Sequence, residues 1–156
     1  MEGFSIRPAT EEDISSVAKI EKEVHVAPWV EEGFFGELQK PYASFWLLTD
    51  DETDSKVAGY IVFWVMHEEC RIQNLAVALP FRGLGVGQLL VHAAIREAMS
   101  VGVNRAELEV RKSNRPAVEL YQKIGFTIIQ VRKSFYSDGE DAYIMELLLE
   151  GKKSDF

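Results

Sequence analysis

Apolar residues recur along this chain at two spacings, and each change of spacing marks an element. Phe4 to Arg7 alternates as a half-buried strand does. Ile14, Val17, Ala18 and Ile20 follow helical spacing behind Thr10-Glu11-Glu12-Asp13, a capping-box variant, so a helix is predicted to run to about Val24. After Pro28, the segment Trp29 to Leu38 predicts a shorter helix that ends before Pro41. Ser44 to Thr49 reads as a strand. The polar stretch Asp50 to Ser55 has hairpin length, and Val57 to Met66 and Cys70 to Val77 follow as two antiparallel strands. Leu89, Leu90, Ala93, Ala94 and Met99 lie on one helical stripe. Beyond it the pattern predicts a strand at Ala106 to Val110, a helix at Pro116 to Ile124 stopped by Gly125, and strands near Ile128 to Phe135 and Tyr143 to Leu149. The order βααβββαβαββ mixes antiparallel hairpins with βαβ units. It predicts an α+β fold with a central mixed, mostly antiparallel sheet of about seven strands flanked by about four helices.

Composition narrows this further. With 156 residues and 47% hydrophobic content, the chain suits one domain over residues 1–150, with residues 151–156 as a frayed tail. No apolar run approaches a membrane span, and the first residues lack the pattern of a signal peptide, so a cytoplasmic protein without a membrane partner is expected. The formal charge of −8 disfavours nucleic acid as a partner; it suits a cationic partner, or simply solubility. The one cysteine, Cys70, excludes an internal disulfide and reads as a packing residue. His25, His67 and His92 are scattered and match no ligand spacing, so no metal site is expected.

The stretch Phe81-Arg82-Gly83-Leu84-Gly85-Val86-Gly87-Gln88 carries the strongest chemical signal. Glycines at alternate positions let a backbone curl with several N–H groups inward, and a helix starting there adds its unpaired amides and its positive dipole end. A nucleotide P-loop needs a Lys-Ser or Lys-Thr that does not follow here. A dinucleotide fingerprint needs G-x-G-x-x-G near the first strand, whereas Gly83, Gly85 and Gly87 read G-x-G-x-G far into the chain. The spelling Arg82-x-x-Gly85-x-Gly87 instead resembles the pyrophosphate loop of the GNAT superfamily of N-acetyltransferases. Asn74-Leu75-Ala76-Val77, Leu108-Glu109-Val110-Arg111, Ser113-Asn114, Leu120-Tyr121 and Ile124-Gly125-Phe126 follow in that superfamily's order. His25-x-x-Pro28-Trp29, and Tyr136 followed by Gly139-Glu140-Asp141-Ala142 and Ile144-Met145, are most similar to the RimI-type ribosomal-protein alanine N-acetyltransferases, over nearly the whole chain.

The resemblance implies a GNAT-like fold, acetyl-CoA as co-substrate, and transfer of acetyl to an N-terminal α-amine, such as alanine of a ribosomal protein. The same fold also serves acetyltransferases of small amines, and an acyl-CoA-binding module without turnover would keep the donor loop alone. Transfer needs a neutral amine, a stabilised oxyanion and a protonated leaving thiolate. Glu107, Glu109 and Arg111 share one face of a strand, which from the residues alone is a solvated face or a place for a base. The resemblance implies that Glu109 is the general base, acting through water. Tyr121 is either a packed boundary tyrosine beside Val118 and Ile124 or a proton donor; the resemblance implies the general acid. It further implies that the backbone of Leu75, Ala76 and Val77 pairs with pantetheine, one amide facing the thioester oxygen, and that Arg82, Gly83, Leu84, Gly85, Val86, Gly87 and Gln88 hold the pyrophosphate. Asn114 is an N-cap, a coenzyme contact, or both. Trp29 and Tyr136 line the acceptor cleft or belong to the core. The chain departs from its relatives at Phe81-Arg82-Gly83, where many RimI-like chains have Gln-Arg.

Overall fold

The structure is a computed structural model that describes residues 3–150 and 156. Its elements are β1 (Phe4–Pro8), α1 (Ile14–Val24), α2 (Glu31–Gln39), β2 (Ala43–Asp50), β3 (Lys56–Met66), β4 (Glu69–Val77), α3 (Val86–Ser100), β5 (Arg105–Arg111), α4 (Arg115–Ile124), β6 (Thr127–Arg132) and β7 (Ala142–Leu148). They build a 7-stranded sheet in the order β1-β2-β3-β4-β5-β7-β6. β4 and β5 run parallel across the α3 crossover, and the other pairs are antiparallel. The α+β fold with a mixed, mostly antiparallel sheet and four helices is therefore the one the sequence pattern predicts.

β3 is buried on both faces, which is why its sequence is apolar without alternation. Ile61 and Phe63 pack under α3 with Leu90, Val91, Ala94 and Ile95, while Tyr60 and Val62 pack on the opposite side with Ile14, Val17 and Phe34 of α1 and α2. Cys70 belongs to the first of these layers, and burial pushes its thiol up to about 12, so it fills space as an inert apolar group. Gly59 lies where β3, β4 and α3 meet. A Cβ there would stand 2.7 Å from the Ala76 carbonyl oxygen and 2.9 Å from Val86 Cγ1. Gly59→Ala is therefore expected to destabilise the fold by about 1–3 kcal/mol, read as a lower urea midpoint at unchanged slope.

Two predicted boundaries move by two residues or more. The second helix begins at Glu31 rather than Trp29, because Val30 is extended at φ −87°, ψ 166° and the Trp29 N–H donates to Glu21 Oε2 at 3.0 Å instead of entering a helix. β6 ends at Arg132 rather than Phe135: Ser134 takes a positive φ of 52° and its N–H donates to Asp141 Oδ1 at 2.9 Å, which turns the chain out of the ladder. Residues 151–155 of the expected tail lie outside the described residues; the Phe156 ring packs 5.2 Å from His92.

One irregularity shapes the middle of the sheet. In the β3–β4 ladder Val62 faces Asn74 and Phe63 faces Ile72, so Gln73 is an extra residue, a β-bulge that bends β4. Its parallel pairing with β5 runs from Glu69↔Arg105 to Ile72↔Leu108 and stops at the bulge. Beyond that point the two strands part.

Candidate active site

Where β4 leaves β5, its backbone is left with an open edge. Ala78 N–H donates to Ala58 O at 2.8 Å, so Ala78 and Ala76 direct their backbone groups to β3. By the alternation of an antiparallel ladder, Leu75 and Val77 direct theirs the other way, into the gap. A cavity of about 350 Å³ opens there, lined by Leu75–Val77, Arg82, Gly83, Gly85–Gln88 and Asn114. Leu84 is half exposed and lies outside the lining.

The loop above this edge is built to offer amides. Gly83 and Gly85 take φ of +78° and +82°, a left-handed conformation that suits glycine, and Gly85 is the N-cap of α3. Arg82 N–H returns to Leu79 O and Leu89 N–H to Gly85 O, whereas the N–H groups of Gly83 to Gln88 meet no acceptor among the described residues. Gly87 lets α3 start close to its neighbours: a Cβ there would stand 3.1 Å from Leu120 Cδ2 and 3.5 Å from Val77 Cγ2. Free amides at the positive end of a 15-residue helix, with Arg82 lining the same cavity, fit a pyrophosphate. The open strand edge fits an extended arm carrying amides of its own. Asn114 does two things at once: Oδ1 accepts from Ala117 N–H at 3.3 Å, capping α4, and the residue also borders the cavity.

The charged face of β5 is neither bare nor simply solvated. Arg71 of β4 donates to Glu109 and, at 2.9 Å, to Glu107. Arg105 reaches Glu69 at 3.1 Å, Glu107 at 3.3 Å and Glu146 at 3.1 Å. Glu109 is thus half-buried and held by one guanidinium at the point where β5 begins to diverge. Further along, Arg111 ties down the β6–β7 connection. It pairs with Asp138 at 2.8 Å and Glu140 at 2.9 Å, and its guanidinium lies 4.1 Å from the centre of the Tyr136 ring. Glu140 also accepts from Ser113 N–H at 2.9 Å.

Tyr121 is buried on α4 with its ring 5.6 Å from Phe126. Burial, reinforced by Tyr136, raises its phenol above the ordinary value. Tyr136 is half-buried; burial raises its phenol too, Arg111 opposes the shift and Glu109 adds to it. Glu109, Tyr121 and Tyr136 all lie outside the lining of the donor cavity. Trp29 is half-buried, with its ring 5.2 Å from Phe34.

A polar cluster that the sequence pattern did not reveal underlies the same region. Glu21 of α1 is 1% exposed. Its Oε1 accepts from Tyr60 Oη at 2.7 Å and Asn74 Nδ2 at 3.0 Å, and its Oε2 from Trp29 N–H at 3.0 Å. His25, the residue that caps α1, places Nε2 3.1 Å from the Leu75 carbonyl and 3.6 Å from Glu21 Oε1, and it borders the cavity. The available signal was a carboxylate on an apolar helical stripe: Glu21 lies one turn from Val17 and Val24, where only a satisfied acid is tolerated.

Comparison with known proteins agrees with this geometry. The model of the acetyltransferase (GNAT) family matches residues 13–126. A [ribosomal protein bS18]-alanine N-acetyltransferase of Salmonella typhimurium is 34% identical over 138 residues, covering 86% of this chain and 90% of the relative. The crystal structure of the ribosomal-protein-S18-alanine N-acetyltransferase from Escherichia coli superposes with a TM-score of 0.83 at 32% identity, covering 93% of both chains. Arabidopsis thaliana NAA60, solved in complex with acetyl-CoA, shares the fold with a TM-score of 0.83 at 16% identity, over 95% of this chain and 99% of that one.

Proposed function

Because the chain belongs to the acetyltransferase (GNAT) family, we propose that it acetylates the α-amine of a protein N-terminus with acetyl-CoA as donor, an N-terminal alanine of a ribosomal protein being the first acceptor to test. Its similarity to alanine N-acetyltransferases over most of its length supports that acceptor class. The observation that carries the reading is the parting of β4 from β5 after Ile72 and Leu108, directly beneath a helix N-terminus with unspent amides.

Bound acetyl-CoA supplies the acetyl group as a thioester. Arg82 and the Gly83–Gln88 amides hold the pyrophosphate, and the open edge at Leu75 and Val77 pairs with the pantetheine amides. One N–H on that edge donates a hydrogen bond to the thioester oxygen as negative charge develops there. Glu109 takes a proton from the α-amine through water, freeing the nitrogen lone pair to form the new C–N bond. As the C–S bond breaks, Tyr121 gives its phenolic proton to the departing sulfur, and the phenolate is reprotonated by the proton that the newly acylated nitrogen sheds to become the amide. Arg71 pairs with Glu109, and Tyr136, stacked on Arg111, and Trp29 are the residues offered for the acceptor cleft.

The test is to incubate the protein with acetyl-CoA and peptides that differ in their first residue, and to locate added acetyl groups by mass spectrometry. One acetyl on the N-terminal nitrogen, most abundant for alanine, is the expected result. Transfer to polyamines or free amino acids but to no peptide would move the acceptor to small molecules. No transfer to either set would remove the reading.

A further inference from the structure

His25 stands at the open edge of β4 without any part in the transfer chemistry described above. Both groups nearest to its Nε2, the Leu75 carbonyl at 3.1 Å and Glu21 Oε1 at 3.6 Å, are acceptors, so Nε2 carries the ring hydrogen. The other partners of Glu21, namely the Tyr60 hydroxyl, the Asn74 amide and the Trp29 N–H, are all donors, which leaves it acting as an acceptor throughout. The Tyr60 hydroxyl keeps its hydrogen because burial, and then Glu21, raise it far above its ordinary value. Glu21 is itself sealed from water, so the ring it braces is held from beneath by a fixed group.

The consequence falls on the donor. An arm leaving the Gly83–Gln88 loop meets Val77 first and Leu75 second, since the loop follows Val77 in the chain. At Val77 it finds both an N–H and a carbonyl facing the cavity. At Leu75 it finds the N–H, but the carbonyl is engaged by the imidazole. An arm with two amide groups could otherwise slide along such an edge, because a strand edge repeats the same pattern every second residue.

We propose that His25 is a positioning residue: by occupying the Leu75 carbonyl, it fixes the register in which the donor's amide-bearing arm adds to β4, and so fixes where the thioester stops relative to the Leu75 N–H. The proposal rests on the reading of the chain as a CoA-dependent acetyltransferase. It assigns to His25 placement of the thioester rather than grip on the coenzyme, because the loop and Val77 provide the grip.

Two variants separate these roles. His25→Ala removes the N–H, and His25→Gln restores a side-chain N–H near the Nε2 position. For His25→Ala, kcat should fall roughly tenfold or more, as misplacement of a reacting group by about an ångström does, while the Kd for CoA measured by titration calorimetry stays within about twofold. His25→Gln should recover most of the lost kcat. In long-range 1H–15N spectra of the wild-type protein, the Nε2–H form of His25 should persist when CoA is added. A His25→Ala kcat equal to wild type, a CoA affinity that falls as far as kcat, a glutamine variant no better than alanine, or loss of the Nε2–H form on adding CoA would each overturn the assignment. A wild-type protein that neither binds CoA nor transfers acetyl would remove the underlying reading instead, and that result is distinct from all of these.

Discussion

A Glu109→Gln variant is expected to lose about 10²–10⁴-fold in kcat/KM for peptide acetylation at pH 7 while remaining folded. The amide keeps the shape of the side chain, and its carbonyl oxygen can still accept from Arg71, which is anchored independently by Glu69 and Glu107. What is lost is a proton acceptor. The size of the deficit should therefore follow the ionisation of the acceptor amine, whose pKa is about 8. Below that pH the amine is mostly charged and cannot attack until a base strips it; above it, the neutral amine is already abundant. The wild-type to variant ratio should accordingly shrink from pH 6.5 to pH 9.5. A ratio that stays flat across this range would assign the proton to another group and leave Glu109 as a structural partner of Arg71.

Tyr121→Phe is expected to lower kcat by about 10²–10³-fold with little change in unfolding midpoint, because the packed ring against Phe126 survives and only the hydroxyl is removed. The pH dependence follows from the direction of the shift. A general acid works only while protonated, and burial raises the Tyr121 phenol above its reference value of 10.0. The proton is therefore retained throughout the neutral and mildly alkaline range and should be lost only at a pH above 10. Wild-type kcat should show no alkaline decline attributable to this residue up to that point. A decline near pH 9 that disappears in Tyr121→Phe would contradict the burial argument, and a Phe variant with full activity would remove the acid role.

Much of the fold was legible because its signals are local. The helical spacing of Ile14, Val17 and Ile20, the two-sided apolar run of β3 and the cap at Asn114 each depend on neighbours a few residues away. The end of β6 was not legible, since Phe135 extends the apolar pattern past Arg132 and the stop comes from Asp141 reaching Ser134 across a turn. The start of α2 was missed for a similar reason: the Trp29 amide is claimed by Glu21, a residue of the preceding helix. Within the site, the donor loop was plain from its glycines, whereas the cluster around Glu21 was not. Its partners Tyr60 and Asn74 lie 39 and 53 residues away, and a single acid on a helix carries no hint of them.

The order of elements and the amide-rich turn at Gly83–Gln88 could be named from residue types and spacing, because periodicity, glycine backbone freedom and capping act over less than one helical turn or two strand residues. For Glu109 and Tyr121 the spacing left a solvated or packing role open, and only the family resemblance singled them out for proton transfer. Folding alone decided the rest. The bulge at Gln73 exists only against β3, and it is what releases β4 from β5 and opens the cavity. Arg71 meets Glu109 only because parallel strands 38 residues apart in the chain are brought side by side, and His25 finds the Leu75 carbonyl only across a gap of 50 residues. Such contacts depend on distance in space, which chain spacing does not encode.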